Sequence, residues 1–366
     1  MTALDQLHAL AQQPTLNKDE RPLIAVFPMW FPYEILLAAG VRAGEWWGFP
    51  VASTLADAHF PPYICSFVKS TFEMLLAKKI DADGMVFTSA TCDTIQNSAG
   101  IYRYLFPEKF SAYFRMTQNP DSPAARPYLL GEIARVIEEV EAFTGKSINK
   151  EDLQRAIVAA DAFRAAVRAL LTKLAAGKTS VSAAAIYLAI QGALADIGPA
   201  TTALLNELTA SIRVEKFTGP KVMLVGMTAA PFDALQAIEN AGGHIVGDDL
   251  GLGWRTMSVD CAANDDPLEA IVDRLLSAPP CSSLHYAARR RAQYVVDRAR
   301  ALKTDGVIFT RLKFCDPEAF DYPDIKCLLD EAKIANLLLE RDVVDKVEGA
   351  AATRLEAFLE QIGEGV

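Results

Sequence analysis

Three cysteines share one local setting. Cys65 directly precedes a helical stretch starting at Ser66, and Cys92 precedes Asp93, a good helix N-cap. Cys315 precedes Asp316-Pro317-Glu318, an N-cap followed by proline in the first turn. A helix N-terminus offers unpaired N–H groups and a partial positive charge. That setting is expected to lower a thiol's pKa and favour the thiolate, the form that ligates metal. Three thiolates suit a [4Fe–4S] cluster with one iron left open, or a zinc ion with an open position. The spacing is no compact Cys-x-x-Cys, and three buried cysteines with nothing bound is the plainer alternative. Of the other cysteines, Cys327 is expected mid-helix in the core, and Cys261 stands in a polar stretch with no clear role. Cys281, after Pro279-Pro280, is a possible fourth ligand. His59 and His285 are candidates for proton transfer, His59 because it lies close to Cys65 in the chain. Glu34 is a further candidate at the opening of a helix, where it equally suits the helix dipole. Asp248 and Asp249 follow a strand and read as cleft residues or helix caps.

The elements that must position these residues alternate at both ends of the chain. Leu23 to Phe27 reads as an apolar strand, and Pro32-Tyr33-Glu34 opens a helix that stops at Gly40. A short strand near Val41 to Trp46, a helix from Ser66 to Lys79, a strand from Met85 to Thr88 and a helix from Asp93 to Leu105 follow. From Ala125 to Lys216 the spacing is helical almost throughout, with Gly145, Gly177 and Gly198 as punctuation. The alternation returns with a strand from Val222 to Val225, a helix from Phe232 to Ala241, a strand at His244 to Val246, a strand from Val307 to Thr310 and a helix near Tyr322 to Ala332. Such alternation predicts an α/β fold with parallel sheets. The segments Asp83-Gly84-Met85-Val86-Phe87-Thr88 and Asp305-Gly306-Val307-Ile308-Phe309-Thr310 each lead to Cys-Asp, at Cys92-Asp93 and Cys315-Asp316. This predicts two related Rossmann- or flavodoxin-like lobes, residues 1–124 and 218–366, joined by a helical region at 125–217. Ligands of open α/β sheets bind beyond the carboxyl ends of strands, which places a metal centre in the cleft between the lobes.

The bulk composition narrows the function classes. A chain of 366 residues is too long for one ordinary core. Its net charge of −10 argues against a nucleic-acid partner. Arg289-Arg290-Arg291, in a helix expected at roughly 283–303, reads as a solvated face, with docking of an anionic ligand or partner as the alternative. No apolar run approaches the ~18 residues that span a bilayer. A soluble, cytoplasmic protein is expected, and its six cysteines are then not disulfides. Gly145-Lys146-Ser147 and Gly177-Lys178-Thr179 lack the earlier glycine of a phosphate-binding loop, since Val140 and Thr172 stand there.

At these residues the chain resembles the family that joins ATP-dependent benzoyl-CoA reductases with 2-hydroxyacyl-CoA dehydratases. The resemblance rests on Pro32-Tyr33-Glu34-Ile35-Leu36-Leu37-Ala38-Ala39-Gly40, Tyr63-Ile64-Cys65-Ser66, Thr91-Cys92-Asp93-Thr94-Ile95, Phe106-Pro107 and Lys313-Phe314-Cys315-Asp316-Pro317. It implies a [4Fe–4S] cluster on Cys65, Cys92 and Cys315. It also implies a homologous second cluster-bearing subunit, a separate ATP-hydrolysing activator and a small acyl-CoA substrate. The chain looks nearest to the smaller cluster-bearing reductase subunit. In such chemistry an electron entering a thioester carbonyl gives a ketyl radical anion, which leads to ring reduction or to dehydration. A non-catalytic electron-relay or scaffold subunit is the remaining alternative. Lys69 and Arg255 would suit CoA phosphates. Where many relatives carry another cysteine, this chain reads Asp249-Leu250-Gly251-Leu252-Gly253-Trp254-Arg255.

Overall fold

The computed structural model describes residues 1–16, 19–89, 92–228, 232–287 and 289–364. Ala90 and Thr91, the latter part of the Thr91-Cys92-Asp93 motif, lie outside the described residues. The first lobe contains α1 (Ala3–Gln12), β1 (Leu23–Phe27), α2 (Glu34–Ala39), β2 (Arg42–Glu45), α3 (Ser66–Leu76), β3 (Gly84–Ser89), α4 (Asp93–Leu105) and β4 (Phe110–Arg115). A middle stretch follows, with α5 (Ala125–Thr144), α6 (Lys150–Ala175), β5 (Lys178–Thr179), α7 (Ala183–Leu194), α8 (Pro199–Ser211) and β6 (Val214–Glu215). The second lobe contains β7 (Lys221–Gly226), α9 (Asp233–Asn240), β8 (His244–Leu250), α10 (Trp254–Met257), α11 (Pro267–Ser277), α12 (Arg290–Leu302), β9 (Gly306–Leu312), α13 (Asp316–Glu331), β10 (Ala335–Arg341) and α14 (Ala350–Gly363). Among the described residues no helix is long and apolar enough to cross a membrane.

Each lobe is built on a four-stranded parallel sheet. The orders are β2-β1-β3-β4 and β10-β9-β7-β8, so both place first, second, third and fourth strands in the same 2-1-3-4 sequence. The central strands are covered on both faces and are apolar almost throughout, as parallel sheets require. The likeness extends to single hydrogen bonds. Asp83 accepts from the Leu23 N–H at 2.8 Å while its own N–H donates to the Leu23 carbonyl. Asp305 makes the same reciprocal pair with Lys221. The repeated Asp-Gly is therefore a clamp that sets the register between first and third strands, where Ile24 faces Gly84 and Val222 faces Gly306.

Helix α6 ties the lobes together, packing on α2 of the first and on β8 and α10 of the second. The small residues of this region permit close approach: a Cβ on Gly192 of α7 would lie 1.8 Å from the Leu7 carbonyl oxygen of α1. Gly40 ends α2 with φ +77°, a conformation that glycine adopts without a Cβ penalty.

Several local expectations change. Helix α13 begins at Asp316, a full turn and more before Tyr322, because Asp316-Pro317 supplies a favourable first turn. Strand β8 runs through Asp249, so Asp248 and Asp249 are buried residues within the strand and do not follow it. Asp248 does cap, accepting from the N–H of Trp254 at the start of α10. Arg291 is not on a solvated face; it is buried and ion-paired with Asp249, and with Asp321 at 3.5 Å. Cys327 is half-buried and bonded to Glu331 at 3.4 Å, outside the core.

Candidate metal centre

In a 2-1-3-4 sheet the chain reverses direction between the first and third strands, leaving a crevice at their carboxyl ends. The two lobes face each other there. Pro28 after β1, Cys92 after β3, Met227 after β7 and Cys315 after β9 line one cavity of about 360 Å³, and Cys65 completes its set of thiols. Trp47, Phe67, Ile95 and Leu312 give it an apolar wall. Phe67 is itself held by stacking on Phe27 at 5.4 Å between ring centres, with Trp47 edge-on at 6.2 Å.

Each cysteine is itself the N-cap of a helix, one residue earlier than the Asp93 and Asp316 caps expected from sequence: Cys65 of α3, Cys92 of α4 and Cys315 of α13. The Ile95 N–H donates to Cys92 Sγ at 3.5 Å. The expected fall in thiol pKa is reversed, however. Burial pushes Cys65 up to about 12, with the neighbouring Cys92 adding to the shift. Burial likewise raises Cys92, and raises Cys315 strongly, with Glu318 and then Cys65 contributing to Cys315. Desolvation, with repulsion from neighbouring thiols at Cys65 and Cys315 and from Asp93 and Asp316 at Cys92, outweighs the helix N-termini. The donor set itself, three thiols around one space, fits a metal group that would take them as thiolates. Among the described residues no three His, Cys, Asp or Glu side chains close on a single ion. The thiols instead surround a space, and an iron–sulfur cluster takes one thiolate per iron around a body several ångströms across.

The other sequence candidates lie elsewhere. His59 is half-buried at the end of the 3₁₀ turn Ala56–Ala58, and His285 is exposed; neither lines the cavity. Glu34 is fully buried in α2's first turn, 2.9 Å from Arg164 and 3.5 Å from Arg274, and does not line the cavity either. Burial alone would raise its carboxyl, but the two guanidinium groups hold it below its ordinary value. Cys261 sits beside this cluster, 3.8 Å from Glu34 Oε1. Lys69 pairs with Asp57 at 2.9 Å. Arg255 cannot meet a phosphate, because it is fully enclosed. It donates to the Gly226 and Asp249 carbonyls and pairs with the carboxylates of Asp249 at 3.2 Å and Glu318 at 3.3 Å. Cys281 is buried against Arg255 and Ser283 and does not line the cavity.

Sequence reasoning missed Ser282 and Ser283, which line the cavity but belong to no recognisable motif. It also missed Glu45 on β2, a buried residue whose carboxyl is raised by desolvation to about 7. The Gly44-Glu45 and Gly247-Asp248 pairs at matching sheet positions were the available signal.

A model of the family described as 2-hydroxyglutaryl-CoA dehydratase, D-component, matches residues 28–362. The chain is 28% identical over 348 residues to the (R)-phenyllactyl-CoA dehydratase beta subunit of Clostridium sporogenes, covering 93% of this chain and 91% of that one. It is 28% identical over 326 residues to one of the subunits of the benzoyl-CoA reductase of Thauera aromatica, covering 86% and 84%. It is 26% identical over 357 residues to the beta subunit of (R)-2-hydroxyglutaryl-CoA dehydratase of Acidaminococcus fermentans, covering 93% and 92%.

Proposed function

Because the chain belongs to the 2-hydroxyglutaryl-CoA dehydratase D-component family, we propose that it is an enzyme subunit of the acyl-CoA dehydratase and reductase type that holds one [4Fe–4S] cluster on Cys65, Cys92 and Cys315. The observation that carries this reading is the convergence of three helix-capping cysteines, two from one lobe and one from the other, on a single cavity. When bound, the cluster supplies single electrons to a thioester-activated acyl group. The chain's own part is to hold and shield. Cys65, Cys92 and Cys315 would hold the cluster through their thiolates. The N-termini of α3, α4 and α13 offset the negative charge of the thiolates. Trp47, Phe67, Ile95 and Leu312 exclude water from one side.

The reaction assigned is aromatic acyl-CoA reduction of the benzoyl-CoA type, with a homologous second subunit and a separate ATP-hydrolysing activator as partners. Dehydration of a 2-hydroxyacyl-CoA is the second reading, and equal identity to a dehydratase subunit and a reductase subunit favours keeping it. Iron and acid-labile sulfide measured on anaerobically purified protein test the centre. About four of each per chain is the expected result; stoichiometric zinc or no metal would sink it. Product analysis with benzoyl-CoA and a 2-hydroxyacyl-CoA, activator and second subunit present, then separates the two reactions.

A further inference from the structure

The cavity has a second polar wall that the three thiols do not account for. Ser282 and Ser283 stand on it, in the turn between α11 and α12. Their hydroxyls are held differently. Ser283 Oγ accepts from Trp30 Nε1 at 3.4 Å and lies 3.2 Å from Cys281 Sγ, so it is engaged within the wall. Ser282 Oγ donates to Glu318 Oε1 at 2.8 Å and lies farther from Cys281 Sγ, at 3.9 Å, which leaves a lone pair unengaged. Glu318 is fixed in turn by Arg255, which is fully buried and anchored to the ends of β7 and β8. A serine hydroxyl has one proton and two lone pairs. With the proton committed to Glu318, what it offers a ligand in the cavity is an oxygen lone pair.

The geometry points to Ser282 as the residue that presents an acceptor oxygen to the group held by Cys65, Cys92 and Cys315, with Glu318 and Arg255 as the positioning residues that turn it that way. The inference rests on the cluster reading above and adds a residue and a function to it. A lone pair facing the cluster disfavours an added electron, so Ser282 holds the reduction potential down. Hydrogen bonding and local charge around such clusters are established levers on their potential.

The test is the midpoint potential and the electron paramagnetic resonance spectrum of the reduced cluster in anaerobically purified full-length protein. Ser282→Ala is expected to shift the potential upward with iron content unchanged. Ser282→Thr keeps the hydroxyl and should stay with the wild type. Ser283→Ala, on the same wall but with its oxygen already engaged, should leave potential and spectrum in place. In a Glu318→Leu background, which removes the acceptor oxygen, the hydroxyl is no longer directed, and Ser282→Ala should then add little. Such non-additivity marks two residues acting as one unit. An unchanged potential and spectrum in Ser282→Ala, or an equal shift in Ser283→Ala, overturns the assignment. Should Ser282→Ala fail to fold, a wild-type potential in Glu318→Leu overturns it equally. Absence of iron from the wild type would instead remove the cluster reading itself, a failure visible before any variant is compared.

Discussion

In the first lobe the segment after β2 leads to a thiol at a helix N-terminus, Cys65; in the second lobe the segment after β8 leads to a buried guanidinium, Arg255. The two sheets are otherwise alike in strand order, in the Asp83 and Asp305 clamps, and in a Cys that caps the helix after the third strand. They also share a buried acid at one sheet position: Glu45 lies opposite Val26 of β1, and Asp248 opposite Leu224 of β7. Both carboxyls are raised by burial. One place in the lobe thus carries a cavity thiol in the first half and a buttress in the second. Where the second lobe has no thiol, Arg255 ties β7, β8 and the first turn of α13 together through Gly226, Asp249 and Glu318. That first turn is the one that presents Cys315.

The largest effect expected from this division is in metal content. Cys315→Ala, which removes the second lobe's thiol at the cavity, should empty the site as fully as Cys65→Ala, from about four irons per chain to near none. A full cluster in Cys315→Ala would make the centre a property of the first lobe alone. Arg255→Met comes next. It leaves Asp249 and Glu318 buried with less compensation, a loss of about 3–5 kcal/mol by denaturant unfolding. Arg42→Met in the first lobe should lose less, because its partner Asp196 keeps some contact with solvent.

The paired acids give a pH test. Glu45 keeps its proton to about pH 7 when folded, against an ordinary value of 4.5. The folded state therefore binds the extra proton between these values, and stability falls as pH rises through that window. The contribution of Glu45 is on the order of 3 kcal/mol. Glu45→Gln should flatten the slope of stability against pH between those limits, and an unchanged slope would mean that the acid is hydrated. The smallest effect concerns the clamps: Asp83→Ala and Asp305→Ala should each cost about 1–3 kcal/mol. Equal losses would support two equivalent lobes, and a loss confined to one would show that only that clamp bears on stability.

Strands, most helices and the two-lobed plan are legible in the chain alone, because apolar runs, Pro and Gly act locally and Asp-Gly-x-x-Phe-Thr is written twice. So is the placing of three cysteines at helix starts. Which polar candidates reach the cavity is settled only when the lobes pack. His59 and Glu34 have suitable chemistry, yet neither lines the cavity, and Glu34 turns to Arg164 and Arg274. Ser282 meets Glu318, 36 residues on, only because the turn before α12 folds onto the first turn of α13. The ionisation of the thiols belongs to the same level. A helix N-terminus is a local feature that lowers a thiol's pKa, whereas the desolvation and nearby negative charge that raise Cys65, Cys92 and Cys315 arise when two lobes close around one space.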